Sequence, residues 1–159
     1  MLLSFAAPLF SQAERRFNEA LTQRLETQGL TVFLPQRDGV ETNKAPYNVM
    51  TPDERRHALF SLDMQQIFAC GIFLILLDGH VPDEGACVEL GLAYSQKELQ
   101  AHKKVLVGLH TDQRAAFLGA KLNPMLRVPL DYIASDEENL LHLLQQYQET
   151  GILINQEEG

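Results

Sequence analysis

Apolar residues along this chain fall into two alternating rhythms. Short, nearly unbroken apolar runs occur at Leu2–Ala6 (LLSFA), Leu30–Leu34 (LTVFL), Gly71–Leu77 (GIFLILL), Lys104–Leu109 (KVLVGL) and Leu130–Ile133 (LDYI), and each predicts a strand. GIFLILL is so uniform that it predicts a central parallel strand covered on both faces. Between these runs lie segments with helical spacing. The first predicted helix spans Ser11 to Gln28, with apolar positions at Ala13, Phe17, Ala20, Leu21 and Leu25 and with Gly29 closing it. Ser11 followed by Glu14 is the capping-box pattern. Thr51-Pro52-Asp53-Glu54 opens a second helix that runs to Ala69: a cap residue, proline at the first helical position, then acids against the dipole. Gly85–Leu99 and Glu137–Glu149 complete the set, and a frayed tail ending NQEEG occupies about 150–159. The stretch from Pro35 to Met50 is polar and aperiodic, and longer than the usual connection of ~4–6 residues. It reads as a loop that covers a substrate.

Strands alternating with helices imply right-handed βαβ units and a parallel sheet. The expected fold is α/β: one flavodoxin-like, doubly wound domain over 1–159, with a five-stranded parallel sheet flanked by helices. Ligands of such sheets sit beyond the carboxyl ends of the strands, where the strand order reverses. Reactive residues are therefore expected just after the first strand, the second strand and GIFLILL.

Charge and composition narrow the partners. The 159 residues hold 13 Lys plus Arg against 21 Asp plus Glu, a net charge of -8. Cations form no cluster larger than isolated pairs such as Arg15-Arg16, Arg55-Arg56 and Lys103-Lys104. Polyanion binding needs clustered cations, so no nucleic acid partner is expected; a single nucleoside remains possible. Cys70 and Cys87 form no CxxC or Cys/His zinc spacing and read as small buried hydrophobes. The five histidines (57, 80, 102, 110, 142) have no ligand spacing, so no metal is expected. No GxGxxG, phosphate-binding P-loop or serine nucleophile elbow occurs around Ser4, Ser11 or Ser61, and no cofactor is expected. A flavin would need a Ser/Thr-Gly phosphate loop that this chain lacks. MLLSFAAPLF is too short and lacks the basic start of a secretory signal, and no apolar run reaches the ~18–20 residues that span a bilayer. A cytoplasmic, reducing setting without membrane attachment is the expectation.

Three carboxylates stand out. Glu89 falls in the first or second turn of the helix that follows GIFLILL, with Ala86, Leu90, Ala93 and Tyr94 on its side. A helix N-terminus favours an ionised carboxylate, the form that attacks an anomeric carbon. Small residues (Gly85, Ala86, Gly91, Ala93) leave room above it. Asp63 follows Leu59 by four and Phe60 by three and precedes Ile67 by four, which places it on the apolar side of its helix. Asp83 stands in the loop six residues before Glu89. Each has a plain alternative: helix-dipole acid, structural hydrogen-bond acceptor, turn former. Together, Asp63, Asp83 and Glu89 can converge at one switch point, and carboxylates in different environments are the equipment of glycosidic chemistry.

At these residues the chain resembles the nucleoside 2-deoxyribosyltransferases. The resemblance rests on Ala6-Ala7-Pro8-Leu9-Phe10, Phe33-Leu34-Pro35-Gln36-Arg37-Asp38, Asp63, Leu77-Asp78-Gly79, Asp83-x-Gly85-x3-Glu89-Leu90-Gly91-x-Ala93 and Asn123-Pro124-Met125, in that order. It implies a pentosyltransferase of nucleotide salvage that acts on deoxynucleosides and free nucleobases by double displacement. Glu89 would attack C1′, expel the base and form a deoxyribosyl ester that a second base opens, with retention overall. Asp83 and Asp63 would contact the base and move its proton, and Phe10 would pack on it. Gln36, Asp78 and Gly79 would lie among the substrate-binding residues. Asn123 and Met125 would reach a neighbouring subunit's site, which implies a homodimer or a larger homo-oligomer. Two departures bear on rate and substrate range: Ser4 stands where the family commonly has a tyrosine bonded to the glutamate, and Ala7 where it has a glycine.

The nearest alternative is a 2′-deoxynucleoside 5′-phosphate N-hydrolase, with water as acceptor. Its phosphate would need donors in the first loop, where AAPLF offers almost none. The other alternative is a non-catalytic nucleoside-binding module on the same fold.

Overall fold

The computed structural model describes residues 1–100, 103–112 and 122–153, apart from the side chain of Gln100. His102 and most of the tail expected to fray lie outside the described residues. The chain runs β1 (Leu2–Ala6), α1 (Gln12–Thr27), β2 (Thr31–Phe33), α2 (Pro35–Asp38), a 3-10 turn (Tyr47–Val49), α3 (Pro52–Ala69), β3 (Ile72–Leu76), α4 (Glu84–Gln100), β4 (Val105–Leu109), α5 (Pro124–Arg127), β5 (Tyr132–Ala134) and α6 (Glu137–Thr150). The strands form one sheet in the order β2-β1-β3-β4-β5, every pair parallel. This is the flavodoxin-like order, and it reverses between β1 and β3.

All residues of β3 and β4 are buried, as uniform apolar strands between two helical layers must be. One layer packs Leu21 and Leu25 of α1 and Leu140 and Leu144 of α6 against Leu3, Phe5, Leu74 and Val107. The other packs Ile67 of α3 and Ala86, Leu90 and Ala93 of α4 against Ala6, Phe73 and Ile75. Alternate residues of each strand face opposite layers, as the period of two requires.

The capping box anticipated at Ser11 is present, and the cap at Thr51 proves to be a second one. The Ser11 hydroxyl accepts the Glu14 N–H while the Glu14 carboxylate accepts the Ser11 N–H, and Thr51 and Glu54 repeat the arrangement.

Several expectations are corrected. Ala13 and Ala20 of α1 are exposed, and the buried face carries Asn18 and Thr22 beside Leu21 and Leu25, so two polar residues occupy a core-facing stripe. The apolar side assigned to α3 is mostly open: Ile67 is its one buried residue, while Leu59, Phe60 and Phe68 are exposed. Cys70 is buried but Cys87 only partly so. The fifth strand lies at Tyr132–Ala134 rather than 130–133. Its register is set where Tyr132 pairs with Val107, after α5 has carried the chain back to the sheet. The 35–50 segment is not structureless, since α2 and the 3-10 turn occupy parts of it, and Arg55 of α3 donates to the Met50 carbonyl at its end.

Because the Thr51 hydroxyl accepts the Glu54 N–H at the start of α3, Thr51→Ala is expected to destabilise the chain by about 1 kcal/mol. Urea denaturation would show it as a lower midpoint at unchanged slope.

Candidate active site

Three loops meet beyond the carboxyl ends of β1, β2 and β3, where the strand order reverses. They enclose a cavity of about 320 Å³. The loop after β1 contributes Ala7, Leu9 and Phe10, and the chain after β2 contributes Pro35, Gly39 and Val40. Leu59 and Asp63 of α3 close one side, and Asp83, Gly85, Ala86 and Glu89 close the other. A second cavity of about 280 Å³ shares Leu59, Asp63, Gly85 and Glu89 and continues between α3 and α4 past Phe60, Met64 and Leu92.

Local backbone chemistry explains these placements. Asp83 is the N-terminal cap of α4: its Oδ2 accepts the Ala86 N–H at 2.9 Å, and its carbonyl accepts the Cys87 N–H at 3.0 Å. Glu89 is therefore the sixth residue of α4, in its second turn. Gly85 is small because a Cβ there would lie 3.1 Å from Asp83 Oδ2. Gly39 ends α2 with its N–H on the Pro35 carbonyl, and a Cβ at that position would meet the same oxygen at 2.3 Å. Only glycine lets the chain close on itself there. Of the small residues expected around Glu89, Gly85 and Ala86 line the cavity, whereas Ala93 is packed in the core and Gly91 is exposed.

Burial, together with the nearby charges of Asp63 and Asp83, pushes the Glu89 carboxyl up to about 7. Burial pushes Asp63 up to about 6. The helix N-terminus by itself favours an ionised Glu89. Desolvation and like charge outweigh it, because the dipole is worth little beyond the first turn. Among the described residues no group of three His, Cys, Asp or Glu side chains is arranged to hold a metal ion.

The other residues singled out by sequence fall in different places. Phe10 lines the cavity and is 81% exposed, which puts it at the mouth. Gln36 does not line the cavity. Its Oε1 accepts from Asn18 Nδ2 at 3.1 Å and its Nε2 donates to the Arg15 carbonyl at 2.8 Å. Asn18 Nδ2 also donates to the Pro8 carbonyl at 2.9 Å, so Asn18 and Gln36 tie the loops after β1 and β2 together from below. Asn18 escaped the sequence reading, although a polar residue in register with Leu21 and Leu25 was the available signal.

Asp78 is likewise outside the cavity. Its Oδ1 accepts the N–H groups of Thr111 at 2.6 Å and Asp112 at 3.0 Å, and its Oδ2 accepts the Thr111 hydroxyl. The adjacent Gly79 adopts φ +116°, the turn that frees Asp78 to reach across to β4's end. Asn123 caps α5 by accepting the Met125 N–H at 2.9 Å, and Met125 is 80% exposed; neither lines this chain's own cavity. Ser4 is buried within β1, below Ala6, and does not reach the cavity.

A sequence profile of the nucleoside 2-deoxyribosyltransferases matches residues 3–150. The chain belongs to that family. No curated protein sequence matches it. Among solved structures it is similar to a conserved protein from Enterococcus faecalis V583, with 26% identity, a TM-score of 0.68 and coverage of 92% of this chain and 98% of that one. A 2-deoxyribosyltransferase from Bacillus psychrosaccharolyticus shares the fold at 22% identity and TM-score 0.69, covering 89% and 90% of the two chains. The fold also extends to a CMP N-glycosidase from Clostridium botulinum, at 23% identity and TM-score 0.53, with 92% and 99% covered. This family member thus presents three carboxylates to one cavity at the switch point of the family's sheet.

Glu89 and Asp63 both titrate higher when folded than their ordinary values of 4.5 and 3.8. The folded chain therefore holds more protons than the unfolded chain between about 4.5 and 7 for Glu89, and between about 3.8 and 6 for Asp63. Stability falls as pH rises through those windows. Glu89→Gln removes a charge that folding must desolvate. It is expected to stabilise the chain at pH 8 on the order of 1–3 kcal/mol and to change little near pH 4. Thermal melts at the two pH values would show a Tm gain confined to the alkaline side; equal gains at both would refute the assignment.

Proposed function

We propose that this family member transfers 2-deoxyribose between nucleobases by double displacement, with Glu89 as the nucleophile. The observation that carries the reading is the grouping of Glu89, Asp63 and Asp83 around one largely apolar cavity. A Glu89 oxygen attacks C1′ of a 2′-deoxynucleoside as the C1′–N bond breaks, and the electron pair leaves with the base. Asp63 or Asp83 delivers a proton to that base. The second base attacks C1′ of the deoxyribosyl ester, returns its proton to the same carboxyl and releases Glu89, so two inversions give retention.

Burial raises Glu89 to about 7 and Asp63 to about 6, so in the empty site a proton favours Glu89 over Asp63. Attack requires the opposite arrangement, with Glu89 charged and the proton facing the base. Substrate binding therefore has to move the proton to an acid that faces the base, and Asp63, itself raised by burial, is assigned to receive it. Phe10 at the mouth supplies an aromatic face for the base.

The preferred donors are nucleosides rather than their 5′-monophosphates. Among the described residues, the charged groups lining the cavity are all carboxylates, and a phosphate there would meet like charge. Asn123 and Met125 serve a neighbouring subunit's site in a homo-oligomer; the support is that neither lines this chain's own cavity and that Met125 is exposed.

Mixing the protein with deoxyinosine and no acceptor is expected to leave a deoxyribosyl adduct on Glu89, read by intact mass spectrometry and peptide mapping. Glu89→Ala and Glu89→Gln are expected to lose base exchange by about a thousandfold or more, since an amide is a poor nucleophile. Attack needs Glu89 ionised while the acid that serves the base is still protonated, so kcat/KM is expected to peak between about 6 and 7 and to fall on either side. A clear preference for deoxyadenosine monophosphate over deoxyadenosine, with water as acceptor, would favour the N-hydrolase instead. Unchanged ligand binding and no adduct would favour a non-catalytic module.

A further inference from the structure

A buried polar cluster lies at the other end of the seam that holds the carboxylates. Lys104, at the start of β4, is only 3% exposed, and its ammonium donates to the Ile67 carbonyl and to Gln96 Oε1. Gln96, 7% exposed, donates through Nε2 to the Phe68 carbonyl at 3.0 Å. The Cys70 thiol shares the Ile67 carbonyl at 3.2 Å, and the Cys70 N–H takes that of Gln66 at 2.9 Å. The last carbonyls of α3, which a helix end leaves without intrahelical partners, are thus held by β4 and α4 rather than by water. A cation there also faces the negative end of the helix dipole.

The cluster's reach follows from helix geometry. Asp63 lies four residues before Ile67 on α3, one turn along the same face. Glu89 lies seven before Gln96 on α4, two turns along the same face. The two helices therefore share a seam with a clamp at one end and two mutually repelling carboxylates at the other. Little else fixes α3, because Ile67 is the one side chain it buries and its outer apolar residues face outward.

We propose that Gln96 and Lys104 are positioning residues: their clamp on the last turn of α3 holds Asp63 against Glu89, and so sets the proton exchange between them. The proposal takes these two carboxylates as the reacting pair of the function proposed above. Without the clamp, α3 yields to the repulsion and shifts outward along a seam that already contains a cavity. Water then reaches Glu89. The titratable groups facing Glu89 are Asp63 from α3 and Asp83 from the α4 cap; the cavity-lining residues after β1 and β2 carry no charge.

Gln96→Leu is the decisive variant because it removes both hydrogen bonds and changes no charge. The Glu89 carboxyl carbon can be followed by NMR in protein labelled with [13C]glutamate, its signal assigned by its absence in Glu89→Gln. In Gln96→Leu the midpoint of Glu89 is expected to fall by about half a pH unit or more as water and distance relieve it. In the same variant kcat is expected to drop about tenfold, with KM for the donor changed less than about twofold. Gln96→Glu, which keeps an acceptor for Lys104, is expected to lose less of kcat; should the leucine variant fail to fold, this split in kcat and KM decides. A folded Gln96→Leu protein with a lower Tm but an unmoved Glu89 midpoint and unmoved kcat would overturn the proposal. The NMR midpoint needs no turnover, so a chain without transferase activity would sink the proposed function while leaving this inference to its own result.

Discussion

Everything in this molecule that bears on chemistry depends on keeping three carboxylates close together in a space that water only partly reaches. A poorly solvated site raises the energy of a carboxylate, and nearby like charge adds to it; burial raises the titration of both Glu89 and Asp63, and the charges of Asp63 and Asp83 raise Glu89 further. Such a group of acids persists only if the surrounding structure cannot relax. The fully buried β3 and β4 supply that rigidity, with α4 seated on them through Ala86, Leu90 and Ala93. One acid is also bonded into the scaffold: Asp83 gives an oxygen to the first turn of α4, so the residue that shapes the cavity also caps the helix that carries Glu89.

The same economy recurs around the rim. Gln36 and Asn18 join two cavity loops from underneath, Asp78 ties the end of β3 to the chain after β4, and Gln96 with Lys104 closes the seam between α3 and α4. Polar side chains that a motif reading assigns to the substrate are here occupied in holding the walls. The cavity itself is left apolar apart from its acids, which suits a flat heterocycle and a neutral sugar better than a phosphate.

Much of the architecture could be read from the chain because it rests on local rules. Thr51 and Ser11 announced their helices, since capping chemistry acts within one turn. GIFLILL announced a strand covered on both sides, since a buried strand has no polar face to show. Alternation of the two rhythms implied parallel connections and, with them, the end of the sheet at which Glu89 and Asp83 would be found. The family followed from the order of short motifs, and the profile match covers nearly the same span.

What only the tertiary structure decided was environment. No spacing rule says that Asp63's helix buries a single side chain, that Asn18 lies in the core, or that Gln36 and Asp78 spend their hydrogen bonds on other parts of the chain. These are contacts between residues far apart in sequence, made when helices and loops from different βαβ units settle on the sheet. The charge state of Glu89 is the clearest case. Its position in α4 is a local fact and favours ionisation, but its solvation is set by α3 and by the loops after β1 and β2. Burial acts on the whole carboxyl, whereas a helix dipole fades within a turn, so the distant neighbours outweigh the near ones.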